Sequence, residues 1–195
     1  MADNFRYGER VVLDANVLIG FPICDTILTL AESLLITPIW SSVVLEELRR
    51  NLMGKFNKEE SFVTRRINAM VRTFPEATVE VPQILIDKMS NAPEDRHVLG
   101  SAVFSSANFL VTFNLKDFKG AEKLNVKVMH PDEFLCELYR LFPEDVIEGV
   151  EIQLAALKNP PKTISQLAND YKEINMRKFA TILEKTLENK GFSIN

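Results

Sequence analysis

The chain has 195 residues and a net charge of −4, and 46% of its residues are hydrophobic, which is typical of a globular protein and excludes extensive disorder. No apolar stretch approaches the roughly 20 residues that cross a bilayer, and the first ten residues lack the apolar core of a signal peptide. Two distant cysteines, Cys24 and Cys136, offer neither a disulfide framework nor a zinc pattern. These features predict a reduced, cytoplasmic protein without a membrane segment.

Four short apolar segments in the first 130 residues are predicted to be β-strands: residues 11–13, 34–37, 109–112 and 126–129. The first is apolar without alternation, as in a strand covered on both faces. Apolar residues at helical spacing predict four helices between them, one capped by Asp25, one starting near Ser41, one from about Phe62 to Phe74, and one over residues 93–107. This alternation predicts an α/β domain with a central parallel sheet and helices on both faces.

The pattern changes after residue 130, where no further strand is predicted. Helices are expected over residues 132–141, from Pro143 at a first helical turn, from Thr163 with a capping box to Gln166, and along the stripe Phe179, Leu183 and Leu187 ended by Gly191. The sequence therefore predicts two parts, an α/β domain over residues 1–130 and a small all-helical segment over residues 131–195.

Four acidic residues lie beside segments that are predicted to be buried: Asp14, Glu47, Asp95 and Asp117. Asp14 follows the first strand and Asp117 lies just past the third, at the sheet edge where α/β proteins bind ligands. A lone buried carboxylate is unfavourable, so these acids need a cation or a hydrogen-bond donor. The group predicts a shared divalent-metal site, which is suited to phosphate-ester hydrolysis.

Helix geometry distinguishes the acids on the predicted helices. At about 100° per residue, Glu47 flanks the buried face of its helix whereas Glu46 points to solvent, and Asp95 lies in line with the buried face of a later helix. A first-turn aspartate that only interacts with the helix dipole is the alternative for Asp95. His97 and His130 form no metal motif and are expected to be ordinary surface or loop residues, with His97 pointing away from the site.

A basic segment accompanies the acids. Residues 49–72 contain seven basic and two acidic side chains, a net charge of +5. Such a segment favours contacts with phosphates, although a solvated helix face is an equally simple alternative. The candidates for phosphate contacts are Arg49, Arg50, Arg65 and Arg66.

Four segments, in order, resemble the motifs of the PIN-domain nuclease family. They are VVLDANVL at residues 11–18, SSVVLEEL at 41–48, EDRHVLGSA at 94–102 and VTFNLKDF at 111–118. The resemblance implies a PIN-like three-layer domain. It also implies that Asp14, Glu47, Asp95 and Asp117 are the catalytic, metal-binding acids.

The fourth motif departs from the commonest form of the family, which has aspartate where this chain has Asn114. The amide oxygen of Asn114 can complete the metal coordination or orient a water, but it brings no charge, so one and two metals both stay open. Thr112 is expected to support one of the ligands by a hydrogen bond.

The resemblance further implies a Mg²⁺- or Mn²⁺-dependent endoribonuclease, similar to the subset of VapC-like toxins that have a C-terminal helical extension. RNA would be its substrate, a cognate antitoxin its partner and a homodimer its assembly. Two other hypotheses remain: an RNA-processing or DNA-directed PIN nuclease, and a catalytically decayed nucleic-acid binding module in which Asn114 marks the loss of a ligand.

Overall fold

The computed structural model describes residues 5–158 and 160–189. Its five strands are β1 (Glu9–Leu13), β2 (Ile36–Ser41), β3 (Thr78–Val79), β4 (Phe109–Val111) and β5 (Lys127–Met129). All neighbouring pairs are parallel, in the order β3-β2-β1-β4-β5. In the centre, Val12 pairs with Ile39 on one side and Leu110 on the other. The predicted parallel sheet is confirmed.

Ten helices lie in the described part of the chain. Those between the strands are α1 (Ala15–Ile19), α2 (Ile23–Glu32), α3 (Ser42–Gly54), α4 (Glu60–Thr73), α5 (Gln83–Ile86) and α6 (Arg96–Phe104). Those after the sheet are α7 (Pro131–Leu141), α8 (Pro143–Ala156), α9 (Ile164–Glu173) and α10 (Arg177–Asn189). Short 3₁₀ turns occupy Pro93–Asp95, Leu115–Phe118 and Ala121–Leu124. None of the helices is both long and apolar enough to span a membrane.

The central strand β1 explains where a site can form. Val11, Val12 and Leu13 are all fully buried, and because successive side chains of a strand point to opposite faces, both faces of the sheet are covered. The chain places β2 and β3 on one side of β1 and β4 and β5 on the other. Such a reversal of strand order opens a crevice at the carboxyl ends of the strands.

Three local predictions in the α/β part were wrong. α2 begins at Ile23, so Asp25 lies in its first turn and does not cap it. Leu34 adopts φ 61° and is 73% exposed, which ends the helical region and delays β2 to Ile36. β3 was missed because an edge strand of two residues carries almost no sequence pattern.

The helices after the sheet follow the predicted pattern. Pro143 occupies the first position of α8, and Thr163 and Gln166 form the expected capping box. Phe179 and Leu183 are buried, whereas the side chain of Leu187 and Gly191 lie outside the described part of the chain.

Helices α7–α10 pack against the α/β part through a continuous apolar core. The ring of Phe5 lies 4.9 Å from that of Phe109 on β4, and 5.9 Å from that of Phe134 on α7. Buried polar contacts join the same parts: Thr26 on α2 is hydrogen-bonded to Gln153 on α8 and Tyr171 on α9. The division into two domains at residue 130 stays a prediction.

Candidate active site

Asp14 stands at the centre of the site because it directly follows β1. It is 4% exposed, and its Oδ2 accepts hydrogen bonds from Thr112 Oγ1 at 2.7 Å and from Asn16 Nδ2 at 2.6 Å. The hydrogen bond expected of Thr112 is thus present. Burial raises the pKa of Asp14, and the Thr112 hydrogen bond opposes that rise only in part.

Asn16 is a polar residue of the site that sequence reasoning missed. Besides Asp14, its Nδ2 donates to Thr112 Oγ1 at 3.0 Å, and its Oδ1 accepts from the main-chain N–H of Phe113 at 3.1 Å. Thr112 Oγ1 also accepts from the main-chain N–H of Asn114 at 3.0 Å. An asparagine two residues after a buried acid, in an otherwise apolar helix, was the available signal. Asn16 holds the ends of β1 and β4 together around the acid.

Glu47 approaches the site from α3. Ser41 caps this helix, since its Oγ accepts from the main-chain N–H of Val44 at 3.2 Å, and the cap fixes which side chains face the sheet. The side chain of Glu47 is 26% exposed and that of Glu46 is 60% exposed. The predicted orientation of the two glutamates is confirmed.

Asp95 and Asp117 come from turns on the other side of Asp14. Asp95 ends a 3₁₀ turn and precedes α6, so it does not lie on the helix as predicted. Asp117 lies half-buried in the turn after β4, and its carbonyl accepts from the main-chain N–H of Ala92 at 3.3 Å. This hydrogen bond ties the two turns together. Asn114, at the start of the second turn, is exposed.

Mutual repulsion shows that the four acids share one region. The pKa of Asp95 is raised to about 6, first by burial and then by the charges of Asp14, Asp117, Glu94 and Glu47. The charge of Glu47 also acts to raise the pKa of Asp14. Crowded carboxylates of this kind are stabilised when a cation joins them.

The donor set matches a hard divalent cation. Four carboxylates and one amide oxygen are ligands that Mg²⁺ and Mn²⁺ favour. The pKa of Asp95 is raised by burial and by the charges of nearby acids, and a cation would offset those charges. As the side chains stand, no three acidic, His or Cys groups within residues 5–158 and 160–189 are grouped so that they could hold one ion. The residues therefore fit a metal by the chemistry of their donor atoms.

His97 departs from its prediction. It is 7% exposed on the first turn of α6, and its Nε2 lies 3.5 Å from Glu47 Oε2. The prediction failed because α6 is buried on most sides and its helical phase starts only at Arg96, after a 3₁₀ turn. His130, by contrast, caps α7 by accepting from the main-chain N–H of Asp132 at 3.2 Å.

The arginines of the basic segment divide into two groups. Arg66 Nη2 donates to the carbonyl of Leu18 at 2.7 Å, and its charge lowers the pKa of Asp25, which burial raises. Part of the Arg66 guanidinium is thus engaged with the main chain, and its role as a phosphate contact stays a prediction. Arg50 and Arg65 are exposed, as a phosphate contact requires.

Arg49 is partly exposed and bridges two helices. Its Nη1 donates to Thr64 Oγ1 on α4 at 3.0 Å, and its Nε lies 3.8 Å from Glu46. Arg65 and Arg72 line an open groove along α4, together with Glu60, Ser61, Thr64, Asn68 and Ala69. A basic surface therefore continues from α3 onto α4.

Comparisons with known proteins agree with this geometry. A family model described as "PIN domain" matches residues 10–116, and one described as "VapC50 C-terminal domain" matches residues 131–185. A Mycobacterium tuberculosis (strain ATCC 25618 / H37Rv) protein named "Putative ribonuclease VapC50" is 37% identical over 81 residues, which are 40% of this chain and 48% of that protein. The match thus spans about half the length of this relative.

The first of these matches covers more than half of the chain and includes Asp14, Glu47, Asp95 and Asn114. Asp117 lies one residue beyond it, so its place in the site rests on the structure. The parallel sheet, the acids at its switch point and the family match lead to one conclusion: this chain belongs to the PIN domain family.

Proposed function

We propose that this protein is a Mg²⁺- or Mn²⁺-dependent endoribonuclease and the toxin of a toxin–antitoxin pair. The observation that carries the proposal is the placement of four acids around the switch point, where burial and then the charges of neighbouring acids raise the pKa of Asp95 to about 6. The family membership and the name of the M. tuberculosis relative support RNA as the substrate.

In this proposal Asp14, Glu47, Asp95 and Asp117 hold the metal, and Asn114 completes the shell or orients a water. A bound divalent ion lowers the pKa of a water and stabilises the charge that develops on phosphate oxygens. Asn16 and Thr112 keep the Asp14 carboxylate in one orientation. Hydrolysis at such a site needs no covalent intermediate with the chain, in keeping with a site made of carboxylates and amides.

Phosphate contacts are proposed for Arg49, Arg50 and Arg65. Arg50 lies 3.9 Å from Glu47, so it borders the acids, and Arg65 extends the basic surface along α4. Contacts of this kind position a strand without reading its sequence. A single-stranded RNA would then cross α3 with its backbone close to the acids.

The partner in this proposal is an antitoxin that blocks the site, and the assembly is a homodimer. A cationic side chain placed among the four acids would satisfy the same charge as the metal, so antitoxin and metal would compete. The VapC50-named matches support the antitoxin, and the homodimer is what the family resemblance implies.

Expression of the chain in a bacterial host tests the toxin role. Wild type should arrest growth, and Asp14→Asn at a matched protein level should not, because the variant removes one proposed metal ligand and leaves the fold intact. If both are harmless or both equally toxic, the toxin role fails. Cleavage of RNA by the purified protein without growth arrest would favour RNA processing. Binding of RNA without cleavage would favour a decayed binding module.

A further inference from the structure

His97 carries a buried polar atom that lacks a hydrogen-bond partner. Its Nε2 is inaccessible to solvent, and no donor or acceptor in the described residues pairs with it in hydrogen-bond geometry. Buried polar groups are nearly always paired, because an unpaired one loses its contacts with water and gains nothing in return. The imidazole of His97 therefore calls for a functional explanation.

The Glu47 carboxylate lies beside this nitrogen. Nε2 lies 3.5 Å from Glu47 Oε2, slightly beyond the roughly 2.7–3.2 Å of a good N–H···O hydrogen bond. The other oxygen of Glu47 lies 3.9 Å from Arg50, whose side chain is 68% exposed. Water competes with such an exposed ion pair, so the buried imidazole is the better placed of the two groups to orient Glu47.

We propose that His97 is a positioning residue that donates a hydrogen bond from Nε2–H to Glu47 Oε2 and so fixes the direction of this carboxylate for metal binding. The inference rests on the proposed metal-dependent function. A neutral imidazole with its proton on Nε2 is sufficient, so the proposal needs no charge on His97.

The surroundings of His97 suit this role. The residue is held in the first turn of α6, where Ser101 Oγ donates to its carbonyl at 2.7 Å. Glu47 keeps 26% of its side chain exposed and can rotate. His97 is thus a fixed donor and Glu47 a more mobile acceptor, so a hydrogen bond between them would select one orientation of the Glu47 carboxylate. Loss of partners of this kind lowers metal affinity by roughly 10- to 100-fold in metalloproteins.

Manganese affinity, measured by titration calorimetry on the full chain at neutral pH, tests the proposal. His97→Phe keeps a ring and removes the donor, so its affinity for Mn²⁺ should fall by about tenfold. His97→Gln places an amide N–H at similar reach and should restore most of the affinity. Phe104→Ala, on the same helix but 48% exposed, is the control and should bind Mn²⁺ as wild type does. Equal affinities of wild type and His97→Phe would overturn the inference.

A double-mutant cycle separates positioning from direct metal binding. In a Glu47→Ala background, His97→Phe should cause no further loss of Mn²⁺ affinity, because the carboxylate that His97 orients is gone. A second loss of about tenfold in that background would contradict the inference, since His97 would then act on the metal without Glu47.

A measurement without metal distinguishes failure of the His97 proposal from failure of the proposed metal-dependent function. In ¹⁵N-histidine NMR spectra of the wild type with EDTA, the His97 proton should reside on Nε2, and its resonance should move when Glu47 is replaced by alanine. A proton on Nδ1, or a His97 resonance that does not move in Glu47→Ala, would overturn the role of His97. Failure of wild type to bind Mn²⁺ would instead contradict the proposed function, and the NMR result would still decide the inference. This experiment uses unmodified His97, so it does not depend on whether the Phe variant folds.

Discussion

Two buried aspartates, Asp14 at the sheet edge and Asp132 at the start of α7, differ in the groups that surround their carboxylates. Asp132 is 6% exposed, and its two oxygens accept from the main-chain N–H groups of Lys178 at 3.1 Å and Phe179 at 2.8 Å. It thereby caps the first turn of α10 from a different helix. Asp14 is 4% exposed and accepts side-chain hydrogen bonds from Thr112 and Asn16. Burial nevertheless raises its pKa, and the charge of Glu47 adds to the rise.

The same contrast extends to the neutral polar groups around each aspartate. Where the C-terminal helices dock, Gln153 bonds Thr26 and also donates to the carbonyl of Pro22 at 3.2 Å. Near the acids, His97 Nε2 and both polar atoms of the Asn91 side chain are buried without a hydrogen-bond partner in the described part of the chain. Hydrogen-bonded polar side chains join the C-terminal helices to the α/β part. Buried polar atoms without a hydrogen-bond partner lie near the acids, where a bound ligand is expected.

The largest expected effect comes from the glutamate pair on α3. Glu47→Gln should lower RNA cleavage by about 100-fold or more, because a metal ligand matters at least as much as the groups that orient it. Glu46→Gln should be nearly silent, since its side chain is 60% exposed. Initial rates with Mg²⁺ measure both variants. Equal losses of cleavage activity in the two variants would show that Glu47 has no special role in the site.

Two adjacent acids on α7, Asp132 and Glu133, test whether Asp132 stabilises the fold. Asp132→Ala removes the cap of α10 and should lower the free energy of unfolding by about 1–2 kcal/mol, as measured by urea denaturation. Glu133→Ala is the matched control, because Glu133 is 53% exposed and its carboxylate pairs with the Lys178 side chain on the surface, at 3.2 Å. A larger effect from Glu133 would show that Asp132 does not anchor α10. Neither change should alter Mn²⁺ binding.

The pH dependence of stability reports the raised pKa of Asp95, which comes from burial and from the charges of nearby acids. The folded pKa of Asp95, about 6, lies above its ordinary value of 3.8, so the metal-free folded state binds more protons between pH 4 and 6. Its contribution to stability is therefore present at pH 4 and lost as pH rises through 6.

Urea unfolding in EDTA measures this loss as a difference between wild type and Asp95→Asn. Wild type should lose about 1 kcal/mol more than the variant between pH 4 and pH 7, a figure reduced for the partial exposure of Asp95. Parallel pH profiles for the two proteins would show that the pKa of Asp95 is not raised in the folded protein.

The smallest expected effect is on RNA binding, and it distinguishes Arg65 from Arg66. Arg65→Glu should weaken RNA binding for all sequences alike and make its salt dependence shallower by about 0.7 per lost phosphate contact. Arg66→Gln should instead lower stability with little change in the salt slope, because Arg66 bonds the carbonyl of Leu18. Binding of a labelled RNA at several salt concentrations measures both. Identical slopes for the two variants would contradict the assignment of phosphate contacts to Arg65.

Much of this architecture follows from local sequence patterns. Unbroken apolar runs identified β1 and β4, and the phase of α3 separated Glu47 from Glu46 because Ser41 starts a regular amphipathic helix. His97 escaped prediction because α6 is covered on most sides, so amphipathicity carries little information there. Asn16 and Arg66 act through contacts with segments distant in the chain, which no local pattern encodes.

The central claim, that Asp132 is structural and Asp14 is functional, is tested most directly by RNA cleavage. Purified wild type, Asp14→Asn and Asp132→Asn would be incubated with single-stranded RNA in Mg²⁺ and in EDTA, at a temperature where all three are folded. Wild type and Asp132→Asn should cleave RNA in Mg²⁺ only, and Asp14→Asn should not cleave it in either condition. Cleavage by Asp14→Asn, or cleavage that survives EDTA, would contradict the account.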